Sequence, residues 1–483
     1  MSDEATESKP HELHRRLGLL QATAMNMSNM IGVGPFLTIP LILKAMGGPQ
    51  AMLGWILGAL LAICDGMVWA ELASAVPTSG GTFEYLKVGY SGTRLGRLLP
   101  FLFIWLFILS GPLEIASGTI GFAQYLAHFV NHYTGCPVIM EAEHERWVGA
   151  GVAALAVVLL YRKIESVGKL MVALWAGVIL TIAAMLVSGL PHFDAGTAFS
   201  FPPNAFSFSQ GFVLGLGSAM AMAMYDFLGY YSVCYIGDEV RSPSRTIPRS
   251  ILISVLVVAA IYLTMNVSII SVVPWSEAME SEAIASDFMD RLYGPVGGAI
   301  MTVLICWTAF ASVYALMLGY SRIPYAAARD GFFFSAFAKL HPRGDFPHVS
   351  LLVLGAVTMG ASFFTLEEVI AALLTTRILV QFIAQIQAVD MLRRRGNSVS
   401  IFRMALYPIP SVIAIAGWTF IYVTTKWVYI AGGSASLVAG IAAYGVWSWW
   451  RSRGGIAVPA GDPPAGDPSQ GSVKATTEDR EIP

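Results

Sequence analysis

Residues 219–248 read AMAMAMYDFLGYYSVCYIGDEVRSPSRTIP. The stretch starts as an apolar helix, carries Asp226 in its middle, and follows it with Gly229, Tyr230 and Tyr231. A shorter apolar piece then leads into a charged exit containing proline. An aspartate at the centre of a helix in lipid costs about 2.5–3.5 kcal/mol on insertion scales, so it is normally turned to a bundle interior or a wet cavity. A nearby glycine eases a break in the helix. Broken helix at membrane depth is tolerated only where its freed backbone groups face protein or water. The stretch therefore reads as half of a binding site rather than as an anchor.

The rest of the chain agrees with a membrane setting. Of its 483 residues, 55% are hydrophobic and 12% charged, with a mean hydropathy of +0.64. A soluble domain carries about 25% charged residues. The apolar residues come in runs of about 20, which gives an all-α polytopic membrane protein, and the alternation of a β-barrel is absent. The net charge of −2 gives no bias toward polyanions such as nucleic acid. No cleavable signal peptide is expected in MSDEATESKPHELHRR. Cys64, Cys234 and Cys306 fall in expected spans as small hydrophobes, Cys136 stands in a loop, and no pair has metal-ligand spacing.

Twelve spans are expected, at about 18–45, 49–76, 98–130, 147–162, 166–190, 209–236, 249–273, 294–328, 348–365, 368–391, 404–425 and 428–450. A tail over 454–483, rich in Gly, Pro, Asp and Ser, is expected to be disordered. Lys and Arg fall on one side of this layout. All but Lys44, Arg146, Arg291, Arg377 and Lys426 lie in the tails or the even-to-odd connections. The opposite connections are acidic, with Glu141, Glu143 and Glu145 in one and Glu277, Glu280, Glu282, Asp287 and Asp290 in another. Both termini, including the tail 1–17, are therefore expected in the cytoplasm.

The first five spans (18–190) echo the second five (209–391), with 404–450 added as helices 11 and 12. Span 1 carries NMIGVGPF at 29–36, and span 6 carries MYDFLGYYS at 224–232. Both are interrupted, at corresponding positions. Because five is odd, the halves have opposite topology, and paired interruptions of this kind point to a transporter's midplane site.

Gly32 and Gly34 permit unusual dihedrals, and Pro35 removes a donor and disfavours helix at the residue before it. A break there, around Ile31, frees N–H groups at the start of a second half-helix, which suit a carboxylate; carbonyls ending the first half suit an ammonium. A proline kink in a structural helix is the plainer reading. In span 6, Asp226 and the carbonyls before Gly229 would meet an ammonium or take a proton, and Tyr225, Tyr230 and Tyr231 would line the cavity. Ordinary packing is the plainer role for any one of these tyrosines. Glu114, in LSGPLEIASG at 109–118, is a second acid deep in apolar sequence that would add negative charge to the same cavity. Thr308 and Ser312, one turn apart, would offer hydroxyls to an ion, substrate or water, or bond back to their own helix. For Asp65 and Glu71 a structural or gating role is expected.

At these residues the chain resembles the amino acid–polyamine–organocation permease superfamily. NMIGVGPF looks like the family's first-helix break, and WAELASAVPTSGGTFEYLK (69–87) is similar to its stretch after span 2. GDEVRSPSRTIPRSI (237–251) is similar to its exit from span 6, and SRIPYAAARDGFF (321–333) to the end of its span 8. The resemblance implies a leucine-transporter-like fold of five plus five inverted repeats with broken helices 1 and 6. It also implies secondary transport of amino acids or polyamines by alternating access. YDFLGYY resembles the pattern of polyamine-type members. The lysine that many members carry in span 5 is missing from MVALWAGVILTI (171–182), so coupling is expected at Asp226, Glu114 or an ion. Cys136 resembles the loop cysteine by which some members bond a single-span partner; an inert thiol is the default.

The reading is thus a symporter or exchanger of the cell membrane for amino acids, with the two acids favouring cationic ones. A polyamine transporter of the same fold and a sensor that binds solute without moving it are the alternatives. No cofactor, metal or enzymatic constellation is expected; a proton or sodium ion would drive transport.

Overall fold

The computed structural model describes residues 17–134, 140–161, 164–342, 346–396 and 401–452. Cys136, the N-terminal tail up to residue 16 and the tail from 453 onward lie outside them. Among the described residues all regular structure is helical, apart from one isolated parallel bridge between Leu17 and Val240.

The first expected span is two helices, α1 (Leu19–Met30) and α2 (Gly34–Met46), set at 47° to each other. Pro35 sits in the first turn of α2, where its missing N–H costs nothing and its fixed φ favours the helix. There follow α3 (Met52–Ala75), α4 (Thr82–Gly89), α5 (Leu95–Tyr133), α6 (Ala142–Leu160) and α7 (Ile164–Gly189). The sixth expected span is also interrupted. α8 (Gln210–Phe227) ends at Leu228, Gly229 turns the chain at φ +111°, and a tight 3₁₀ segment runs over Ser232–Glu239. Then come α9 (Pro243–Val272), α10 (Ile284–Tyr293), α11 (Pro295–Tyr320), α12 (Arg322–Arg329) and α13 (His348–Ala361). α14 (Leu366–Arg377) opens on a reciprocal cap between Thr365 and Glu368 and passes through a π-helical turn, Ile378–Ile383, into α15 (Ala384–Arg394). α16 (Ile409–Thr424) and α17 (Trp427–Ser452) close the described chain.

Eight helical stretches among the described residues are long and apolar enough to cross a membrane, or nine with the bent α1–α2 pair counted as one. The other expected spans are occupied by α6, which carries Glu143, Glu145 and Arg146 in its first turns, and by α13 and α16, apolar helices of 14 and 16 residues. Large apolar side chains such as Val158, Val187, Val438 and Trp450 are exposed on the outer helices, as a lipid solvent requires. The connections contain more helix than expected: α4 and α10 both lie between spans, while α12 continues the eighth expected span after a break at Ser321.

Helix contacts bring the two breaks together. α1 packs on α9 and α2 on α8, while α3 touches both α8 and α9. α5 runs alongside α11 and α14 on the other side of the breaks.

Candidate functional site

The interruption between α1 and α2 follows from its backbone. Ile31 still donates to the Met27 carbonyl and Gly32 to that of Met30. The N–H groups of Val33 and Gly34 have no backbone acceptor among the described residues, and Pro35 has none to donate. These free donors head α2, whose dipole adds positive potential. The interruption after α8 lies against them. A Cβ on Gly229 would come within 2.9 Å of the Asn29 Cβ, and its positive φ would strain any other residue. One turn earlier, Asn26 accepts from the Val233 N–H at 3.0 Å, tying α1 to the chain beyond the second break.

A cavity of about 30 Å³ separates the half-helices, room for a water or two. Asp226 projects into it. Its Oδ2 accepts a 2.5 Å bond from the Thr38 hydroxyl, while the buried Oδ1 has no partner and faces Gly34. A Cβ on Gly34 would collide with that oxygen. The Ser312 Oγ, from α11, is likewise buried and unpartnered, and lies 2.6 Å from where a Gly32 Cβ would stand. Tyr225 also lines the cavity, and its hydroxyl donates to the Ser117 Oγ at 2.6 Å.

Other expected residues are placed differently. Ile31 is buried next to the break without lining the cavity. Tyr230 turns away from it, and its hydroxyl donates to Asp65 Oδ2 in α3. Asp65 also accepts from the indole N–H groups of Trp69 and Trp418, at 3.1 and 3.3 Å, so three donors hold it as a structural centre. Thr308 points toward α7, bonded to Thr181 Oγ1 at 3.1 Å and to its own Leu304 carbonyl at 2.9 Å. Of the two expected hydroxyls only Ser312 meets the cavity. Glu114 lines the cavity, but its charge is matched: Arg377 Nη1 donates to Oε2 at 2.5 Å and the Tyr320 hydroxyl at 2.6 Å. The expected surplus of two negative charges is reduced to Asp226. Glu71 makes a two-pronged pair with Arg393, at 2.6 and 2.7 Å, near the end of α15.

Two residues beside the site escaped the sequence. Tyr262, on α9, donates to the Met30 carbonyl at 2.5 Å and reaches the Asp226 carbonyl at 3.3 Å, so one hydroxyl links the last carbonyl of α1 to the last turn of α8. Nothing in the apolar run around it marks its direction. Arg377 did carry a signal, as a lone basic residue in an apolar run, where a charge is a functional hypothesis by default.

The site thus offers a carboxylate oxygen, a hydroxyl and free backbone donors around a small cavity. A family model described as "Amino acid permease" matches residues 17–447. An uncharacterized transporter of Mycobacterium tuberculosis is 30% identical over 442 residues, covering 90% of this chain and 92% of its own. Cationic amino acid transporter 4 of Mus musculus is 26% identical over 385 residues, 77% of this chain and 57% of its own. The serine/threonine exchanger SteT of Bacillus subtilis is 23% identical over 449 residues, 91% and 98% of the two chains.

Proposed function

Because this chain belongs to the amino acid permease family, we propose that it carries amino acids across the cell membrane as a secondary transporter working by alternating access. One observation carries the reading: two interrupted helices meet across a cavity that holds an unpartnered carboxylate oxygen and free helix-terminal donors. The N–H groups of Val33 and Gly34 take the substrate's α-carboxylate. Asp226 Oδ1 takes its ammonium. A polyamine has no carboxylate for the first of these, which favours an amino acid.

The cavity, at about 30 Å³, is far below the 300 Å³ or more of ordinary ligand pockets. Substrate therefore enters only when the half-helices part, as alternating access demands. The layout we assign has twelve spans, two inverted halves of five and both termini in the cytoplasm. Asp226 links the cycle to a proton, since protonation of Oδ1 removes its hold on the ammonium; the free Ser312 hydroxyl is the group left for a sodium ion.

The test is uptake of radiolabelled amino acids by purified protein in liposomes, under an imposed proton gradient and, separately, a sodium gradient. Accumulation driven by the proton gradient is expected. Counterflow without net accumulation would make the protein an exchanger. Binding without any flux would make it a sensor.

A further inference from the structure

Arg377 is 2% exposed and sits where α14 gives way to its π-helical turn. Its Nη1 holds Glu114 Oε2 at 2.5 Å, its Nε holds the Ser110 hydroxyl at 3.0 Å, and its guanidinium lies 5.7 Å from the Phe107 ring centre and 5.8 Å from that of Tyr320. Glu114 thus touches the central cavity on one side and a fixed cation on the other. We infer that Arg377 is a built-in counter-cation that sets the substrate class, restricting the site to amino acids with uncharged side chains. The inference rests on the amino acid reading above.

The argument is one of charge. The cavity is lined by two acids, and every amino acid brings one ammonium at its α-carbon, which Asp226 serves. A lysine or arginine side chain would need the second acid. Glu114 is already neutralised, and both of its bonded partners among the described residues hold the same oxygen. To take a substrate cation, Glu114 would have to share it with Arg377 at close range or release Arg377 into a dry interior. Stripping a buried charge of its partner is strongly unfavourable, and like charges side by side are too. The rest of the lining, including Ser117, Gly118 and Leu316, is uncharged.

The test is the ratio of kcat/KM for L-lysine to that for L-serine and L-leucine in reconstituted protein, measured for wild type, Arg377→Gln and the double variant Glu114→Gln/Arg377→Gln. Wild type is expected to favour the neutral substrates. Arg377→Gln should shift the ratio toward lysine by about tenfold or more, and the double variant should return it to the wild-type side. The double variant leaves no lone buried charge, so it keeps the test readable if Arg377→Gln fails to fold. Wild type using lysine as well as leucine, or a ratio untouched by Arg377→Gln, or a double variant that favours lysine, would overturn the inference. Absence of uptake of every amino acid by wild type would instead remove the amino acid reading, and this inference with it.

Discussion

The Tyr262 hydroxyl donates to the Met30 carbonyl at 2.5 Å, across from one helix to the last turn of another that stops there. The same oxygen lies 3.3 Å from the Asp226 carbonyl. Its ring is wedged between Trp55 and Phe227, at centroid distances of 5.5 and 5.4 Å. Tyr262→Phe keeps that packing and removes the hydroxyl shared by the two carbonyls, leaving the Met30 carbonyl with the Gly32 N–H alone among the described residues. Such a bond contributes about 0.5–1.5 kcal/mol, a factor of about 2–12. A lowered Tm and uptake reduced by a factor in that range are expected; uptake at the wild-type rate would show that the hydroxyl does not align the breaks.

Gly34 has no room for a methyl group because Asp226 Oδ1 occupies the place. Gly34→Ala is expected to displace the carboxylate and abolish most uptake, with an overpacking cost of about 1–3 kcal/mol. Gly445→Ala is the control, since nothing lies within 4 Å of a Cβ there. The two variants should separate in transport far more than in expression level.

Asp226→Asn preserves shape and removes both the charge and the exchangeable proton. It should lose uptake driven by a proton gradient. Thr38→Val leaves the carboxylate in place and removes its 2.5 Å bond, a loss of about 1.5–3 kcal/mol for a charged acceptor. Reduced uptake with a shifted pH optimum is expected from Thr38→Val. Normal proton-driven uptake by Asp226→Asn would take Asp226 out of the coupling step.

Glu71 and Arg393 meet through two parallel bonds, and the Met404 N–H adds a third to Glu71 Oε2 at 2.8 Å. The geometry suits guanidinium and not ammonium. Arg393→Lys is therefore expected to destabilise almost as much as Arg393→Ala. With the arginine side chain 24% exposed, the loss should be nearer 2 kcal/mol than the roughly 3–5 kcal/mol of a fully buried pair. Thermal unfolding in detergent reads both.

Both interruptions were legible because they are local: Gly34–Pro35 and Gly229 act on the backbone of their own turns. Asp226 was legible because a charge in an apolar run needs a destination. What could not be read was direction around a helix axis. Tyr225 and Tyr230 look alike in sequence, yet the break between them sends one to Ser117 and the other to Asp65. Thr308 and Ser312 share a face, but that face is wide enough for one to meet α7 and the other the cavity. The pairing of Glu114 with Arg377 joins residues far apart in the chain, and no spacing rule reaches that far. Its consequence was the largest, because an acid with a partner and one without argue for different substrates.

The short bridge at Leu17 bears on how such a site opens. Leu17 donates to the Glu239 carbonyl at 3.0 Å and accepts from the Arg241 N–H at 2.8 Å. The strand of chain entering the first interrupted helix is thus stitched to the strand leaving the second. Each stitch contributes about 1 kcal/mol, enough to hold a resting pose and little enough to release within a working cycle. Any movement that parts α1 from the chain beyond the second break has to break this pair of bonds together with the Asn26–Val233 tie.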